Sequence, residues 1–320
     1  MKNSINILLA CSSLCLLMLF SCGKNSIFSN GETVERTLDY SEHAFSVLEL
    51  CDDVDVELLH SDPDHPSGTI FIRAGENLID HIIADTSKSD TVTINNLNKM
   101  NWLRPFEAVR EMTIYYDTLS TILFNSNGKL NSDIIAGFDI PMTVDSIIII
   151  NSDTITLVDT IPIPDTISST SEIVRSALMV QILGGSGILN LKVNCYKLDI
   201  LYQAGTADVN VSGNAPISYV YTDENAHGPV RCNKLTSNIF YITAYGTNIV
   251  AAKAFHAIDA YNYNNGIVCY VGYQGLRKIF VNNNLTYDTV SCPEILQYNG
   301  NSISSQSYTD SIPGLRKVTE

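Results

Sequence analysis

The sequence predicts an all-β chain: a parallel β-solenoid, or β-helix-like stack, with short coils of about twenty residues, an N-terminal β portion and a β-hairpin insertion. Three observations predict it. Short apolar runs are separated throughout by Gly, Asn, Asp and Ser, and no segment sustains a 3.6-residue apolar period beyond two turns. The second half repeats at a pitch near twenty. Of the 320 residues, 45% are hydrophobic and only 17% charged, where soluble domains usually carry about 25% charged residues. Stacked coils disfavour charge, because like charges on successive rungs repel.

In chain order, residues 1–21 predict a lipoprotein signal peptide. Lys2 precedes an apolar stretch, Ile5–Phe20, that is shorter than the ~20 residues needed to span a bilayer. It ends in Leu19-Phe20-Ser21-Cys22, which resembles a bacterial lipobox. The Cys is the residue whose thiolate would take up diacylglycerol before cleavage, so Cys22 is the predicted lipidation site and the membrane, through that lipid, a predicted partner. The alternative is a plain signal peptide with a coincidental Cys. Gly23-Lys24-Asn25-Ser26 follows without acidic residues, which leaves open whether an outer-membrane lipoprotein here faces the periplasm or the cell surface. Residues 22–34 form a flexible tether.

Residues 35–138 predict an N-terminal β region, with strands at Phe45–Leu50, Val54–Leu59, Thr69–Arg73, Thr91–Asn95 and Thr113–Tyr116. Residues 139–170 predict an insertion: a hairpin whose arms, Asp145–Ile150 and Thr154–Thr160, flank Asn151-Ser152-Asp153, then a stiff Ile161-Pro162-Ile163-Pro164 stretch. Ser171–Met179 is the best helix candidate.

Residues 171–300 carry the repeats, and 301–320 a C-terminal tail. Gly184–Leu191 aligns with Ala204–Val211 twenty residues on and with Ala244–Ala251 a further forty on. At that pitch Ile200, Val220, Phe240, Ala260 and Phe280 form one apolar column. Leu189, Val209, Val230, Ile249 and Ile267 form a second, and Leu191, Val211, Cys232, Ala251 and Cys269 a third. Alternation along a strand points these columns inward. Gly184–Gly187, Gly205 and Gly246 mark corners that need positive φ or close backbone approach. The neighbouring column, Leu201, Tyr221, Tyr241, Tyr261 and Val281, faces outward, with Asp199 and Asp259 in register two residues back. Tyr221, Tyr241 and Tyr261 are therefore the candidate ligand surface, since sugar rings stack on aromatic faces. The competing reading is aromatic stacking that only stabilises the sheet, or burial under the N-terminal region.

These residues resemble the adhesin family named for the head GIN domain of autotransporters, common among Bacteroidetes lipoproteins. The residues that carry the resemblance are Val47-Leu48-Glu49-Leu50, Asp53–Leu58, Ile70–Leu78 and the corners Gly184–Gly187, Gly205–Asp208 and Gly246–Asn248. The resemblance implies an all-β, solenoid-like fold and an adhesive or surface role. A further pattern, Asp-[Ser/Thr]-aliphatic, resembles the O-glycosylation acceptor of exported Bacteroidetes proteins. It nominates Thr91, Thr118, Ser146, Thr154, Thr160, Thr166, Thr289 and Ser311; alternatively these triplets are ordinary strand entries.

The function classes narrow accordingly. A formal charge of −15 excludes a nucleic-acid binder, which needs a basic footprint. Apolar content excludes disorder. No GxSxG, GxxxxGK or CxxC motif is present, and no nucleophile–base pair stands out. His60-Ser61-Asp62-Pro63-Asp64-His65 is the most metal-like cluster, but Pro63 and Pro66 mark it as a polar turn. Of the cysteines beyond the signal, Cys51, Cys195, Cys232, Cys269 and Cys292 are widely spaced and read mostly as small buried hydrophobes. No catalytic residue, metal or cofactor is predicted. The expected function is a lipid-anchored envelope binding or adhesion module, with glycans or envelope proteins as partners. The alternatives are a carbohydrate-active β-helix enzyme and a structural envelope-assembly component.

Overall fold

The computed structural model describes residues 29–98, 108–142, 148–151, 154–157, 173–255, 257–264, 266–272 and 315–318. In chain order the strands are β1 (Thr33–Asp39), β2 (Val47–Asp52), β3 (Asp55–His60), β4 (Thr69–Gly75), β5 (Ile82–Asp85), β6 (Thr91–Asn96), β7 (Arg110–Tyr116), β8 (Thr121–Ser126) and β9 (Lys129–Ile135). The insertion contributes β10 (Phe138–Met142), β11 (Ile148–Asn151) and β12 (Thr154–Leu157). Then follow β13 (Ile173–Gly184), β14 (Ile188–Asn194), β15 (Lys197–Gly205), β16 (Asp208–Asn214), β17 (Ile217–Ala226) and β18 (Val230–Thr236). The last are β19 (Ile239–Ala244), β20 (Ile249–Ala254), β21 (Ala257–Asn262), β22 (Ile267–Gly272) and β23 (Leu315–Val318).

Within each coil the chain passes from one long sheet to the other. One runs β1-β4-β7-β3-β9-β14-β16-β18-β20-β22-β23, the other β21-β19-β17-β15-β13-β8-β2-β6-β5. Each coil is a pair, one strand in each sheet: β6/β7, β2/β3, β8/β9, β13/β14 and so on to β21/β22. Neighbouring coils pair in parallel from β6/β7 onward, so the coil stack reaches back through the N-terminal β region. The third β8/β9 coil in sequence lies against β2/β3, while β6/β7 is added on its other side. There the stack is closed by antiparallel strands: β4 and β1 beyond β7, and β5 beyond β6. Capping a solenoid end in this way withdraws parallel edges from solvent.

The core is two ladders of aliphatic side chains, one on each inner face. On the second sheet Val92, Leu48, Ile122, Val180, Ile200, Val220, Ile242 and Ala260 lie in register. On the first, Met112, Val56, Leu130, Leu189, Val209, Val230, Val250 and Val268 do so. All are at most 2% exposed. Each Val, Leu or Ile contributes about 1.5–3 kcal/mol by leaving water. At the corner of β13 and β14, Gly185 has φ +87°, and a Cβ there would lie 2.2 Å from the Ser126 carbonyl oxygen of the coil below; Gly205 repeats the positive φ one coil on.

Several expectations are corrected. Phe240 pairs with Ser218 and Ile242 takes its place in the ladder, because Ile217 to Ile239 spans 22 residues and Ile239 to Ala257 only 18. Phe240 still points inward and is fully buried, two residues being one full strand period. On the first sheet Val250 and Val268, not Ile249 and Ile267, continue the Leu189 ladder. Ala252, not Ala251, pairs with Cys232. Of the helix expected over Ser171–Met179, Ile173–Met179 lies instead in β13, drawn into the sheet by antiparallel pairing with β10 and, from Ala177 onward, by parallel pairing with β15 and then β8. The predicted hairpin is present, with Asn151 opposite Thr154. Phe280, Val281 and Cys292 lie outside the described residues.

Cys51, Cys195 and Cys232 are free thiols, the last two buried, as small hydrophobes. Cys269 is disulfide-bonded, which corrects its reading as a plain core residue.

Candidate functional site

Sheet pleating places every second residue of β15, β17, β19 and β21 on the outer face of the second sheet. One outward row reads Met179, Asp199, Tyr219, Tyr241, Asp259 and the next Gln181, Leu201, Tyr221, Thr243, Tyr261. Asp199 and Asp259 thus share a row, three rungs apart, as their spacing implies. The three nominated tyrosines do not share one. Tyr241 sits above Tyr219, and Thr243 separates Tyr221 from Tyr261. The 22-residue coil carries Tyr241 two positions along, which keeps its face and changes its row.

The result is a broader aromatic surface than the sequence reading gave. The Tyr219 and Tyr241 rings stack with centroids 4.6 Å apart and 12° between planes. At the edge of the same face Tyr245 stacks on Tyr263, at 4.6 Å and 7°. It also meets Tyr221 at 5.8 Å and a tilt of 54°. Tyr221, Tyr261 and Tyr263 are 37%, 38% and 49% exposed; the other large exposed apolar side chains among the described residues are Leu97 and Ile134. Aromatic exposure is therefore concentrated here, and contiguous exposed apolar surface marks interaction sites. Tyr219, Tyr245 and Tyr263 were missed by the column reading; a search for aromatics at either strand parity near the 20-residue pitch would have found them.

Between the rows lies a shallow depression of about 370 Å³ bordered by Asp199, Leu201, Tyr219, Tyr221, Tyr241 and Thr243. Its polar rim is fixed. Lys197 Nζ donates to Asp199 Oδ2 at 2.9 Å and stands 4.9 Å from the centroid of Tyr219. That cation–π contact orders the ring that would receive a ligand. The Tyr221 hydroxyl is held above the ordinary phenol range by partial burial and by nearby Asp223, so it remains a hydrogen-bond donor at neutral pH.

The other nominated residues fall elsewhere. His60 stacks on Tyr116 and His65 on Tyr115, at 5.4 and 4.6 Å. Asp62 accepts from the backbone N–H groups of Asp64 and His65 and bonds His65 Nδ1. That segment is thus a self-satisfied turn, and among the described residues no three His, Cys, Asp or Glu side chains form a metal-binding group. Thr91 is buried at the start of β6 with its hydroxyl donating to Asp90 Oδ1 at 3.2 Å. Thr118 is exposed between β7 and β8. Thr154 begins β12. Cys22, Ser146, Thr160, Thr166, Thr289 and Ser311 lie outside the described residues. No helix among those residues is long and apolar enough to cross a membrane.

No family model matches the chain, and no curated protein does. Solved structures do. A crystal structure described as "putative adhesin", from Bacteroides fragilis, superposes with a TM-score of 0.55 at 17% identity, over 79% of this chain and 95% of its own. A protein described as "putative lipid binding protein", from Parabacteroides distasonis, matches with a TM-score of 0.45 at 14% identity, over 80% and 96%. At these identities the first likeness is one of fold: a two-sheet coil stack shared with a Bacteroidetes protein.

Proposed function

We propose that the chain is a cell-envelope binding or adhesion module that presents the tyrosine face of its second sheet to glycans. The observation that carries this reading is the paired stacking of Tyr219 on Tyr241 beside exposed Tyr221 and Tyr261. Flat rings held in a rigid sheet offer stacking area at little conformational cost, and the Lys197–Asp199 pair supplies a donor and an acceptor for hydroxyls. The fold shared with the Bacteroides fragilis protein supports an adhesin-type role, in keeping with the resemblance to the GIN-domain family. In this reading Cys22 carries the lipid that tethers the module to the outer membrane. O-glycans decorate exposed acceptors such as Thr118, whereas Thr91 would need β6 to open first.

The test is a glycan-array screen of the soluble chain from residue 29, followed by calorimetry of the hits. The double variant Tyr219→Ala/Tyr241→Ala should lose at least tenfold in affinity with unchanged circular dichroism. Full retention of affinity by a folded double variant would sink the proposal.

A further inference from the structure

The opposite face of the molecule has a different chemistry. On the outer face of the first sheet Asn131, Asn190 and Asn210 stand on successive rungs. Their side-chain amides form a ladder: Asn210 Nδ2 donates to Asn190 Oδ1 at 3.0 Å, and Asn190 Nδ2 to Asn131 Oδ1 at 2.9 Å. Arg231 ends the ladder, donating through Nη1 to Asn210 Oδ1 at 3.3 Å and to Asp208 Oδ2 at 3.1 Å. The next outward row is Lys192, Ser212, Lys234.

This second row is bent into a concavity by two bulges. Asn131 to Ile134 covers three steps in β9 where Asn190 to Lys192 covers two in β14. Likewise Arg231 to Lys234 covers three steps in β18 where Asn210 to Ser212 covers two in β16. Bulges bend a strand and re-aim its side chains, and these two flank the regular β14–β16 pair. Between them lies a depression of about 400 Å³, walled by the amides and by Lys192, Ser212, Arg231 and Lys234. Asp208, taken up by Arg231, stands at its margin, and no carboxylate lines the depression itself. Lys192 and Lys234 are both exposed, and neither makes a salt bridge among the described residues.

We infer that this depression is a second binding site, specific for an anionic polysaccharide bearing carboxylate or sulfate groups. In a chain of net charge −15, three cations around a carboxylate-free hollow focus a local positive potential against the global field. The two lysines are separated by two rung spacings, about 10 Å, which is the scale of alternate residues along an acidic sugar polymer. The Ser212 hydroxyl and the asparagine amides between and beside them match sugar hydroxyls. A hollow edged by amides favours a polymer chain lying in it over a planar lipid surface, which would be met by protruding cations. The site is independent of the tyrosine face, on the other sheet.

The test is binding of the soluble chain to polygalacturonate and to dextran sulfate. Uncharged dextran and vesicles of phosphatidylglycerol and phosphatidylcholine are the comparison arms. Binding to at least one acidic polymer and not to dextran is expected, weakening as salt rises through screening. Lys192→Gln/Lys234→Gln should weaken it at least tenfold, Ser212→Asp should do the same by placing a carboxylate between the lysines, and Lys192→Arg/Lys234→Arg should retain it. Tyr219→Ala/Tyr241→Ala should leave it unchanged, which separates this site from the tyrosine face. Binding to neither acidic polymer, equal binding by the glutamine variant, or preference for the anionic vesicles would overturn the inference.

Discussion

Tyr202 is the side chain whose removal of one atom best tests the packing logic. It is fully buried on the inner face of β15. Its hydroxyl donates to the Ala207 carbonyl oxygen at 2.8 Å, pinning the corner between β15 and β16 from inside. Room for it depends on Gly228 in the next coil, where a Cβ would lie 2.3 Å from Tyr202 Oη. Tyr202→Phe keeps the ring and its apolar burial, deletes the donor, and leaves a corner carbonyl without its side-chain partner. The net cost of such a loss is about 1–3 kcal/mol. For a domain of this size each kcal/mol lowers Tm by about 2–4 °C, so the expected fall is on the order of 3–10 °C. Thermal unfolding followed by far-ultraviolet circular dichroism measures it. Tyr263→Phe serves as the control, because its ring is half exposed and surface changes stay within about 0.5 kcal/mol. A Tyr202→Phe variant melting within about 1 °C of the parent would show that the corner does not depend on that hydroxyl.

Two further predictions concern the same interior. Gly228→Ala would place a Cβ 2.0 Å from the Ala207 carbonyl oxygen as well as against Tyr202. Backbone must therefore move, and denaturant unfolding should show a loss of about 1–3 kcal/mol; an unchanged midpoint would refute the contact. Alkaline pH should destabilise the fold. Burial pushes the thiols of Cys195 and Cys232 from 9.0 to about 12, so the folded state holds protons that the unfolded chain releases first. Their contribution is intact below pH 9 and is lost as pH rises toward 12, at up to about 1.4 kcal/mol per pH unit for each thiol. Melts between pH 8 and 11 should be flatter for Cys195→Ala/Cys232→Ala; an identical slope would count against thiol linkage.

Much of the architecture was legible because the physics of a coil stack is local. Leu189 and Val209, or Ile200 and Val220, meet at twenty residues because each coil repeats two strands and two corners of fixed length, and Gly185 and Gly205 announce those corners. The N-terminal coils were harder to see. β2/β3 and β8/β9 are spatial neighbours separated in sequence by β4 to β7, so no single pitch links Leu48 to Ile122. β13 was obscured for another reason: Arg175 and Ser176 interrupt its alternation, and its first residues become strand through antiparallel pairing with β10.

The candidate sites were illegible where the repeat departs from twenty, and that departure is what creates them. The coil β17/β18 carries two single-residue insertions. One follows Thr222, since Tyr202 to Ala204 spans two steps and Thr222 to Asn225 three; the other follows Arg231. Together they make Ile217 to Ile239 a span of 22 residues. On the second sheet this brings Tyr241 onto Tyr219 and forms the stacked pair; at a strict pitch Tyr241 would have met Tyr221. On the first sheet the insertion after Arg231 sets Lys234 beside Ser212, where a strict pitch would have set Asn233, and so completes the basic row. A perfect solenoid presents uniform rows on both faces. Here one irregular coil breaks the uniformity of both, gathering aromatic surface on one side and positive charge on the other while the two central inward ladders stay apolar.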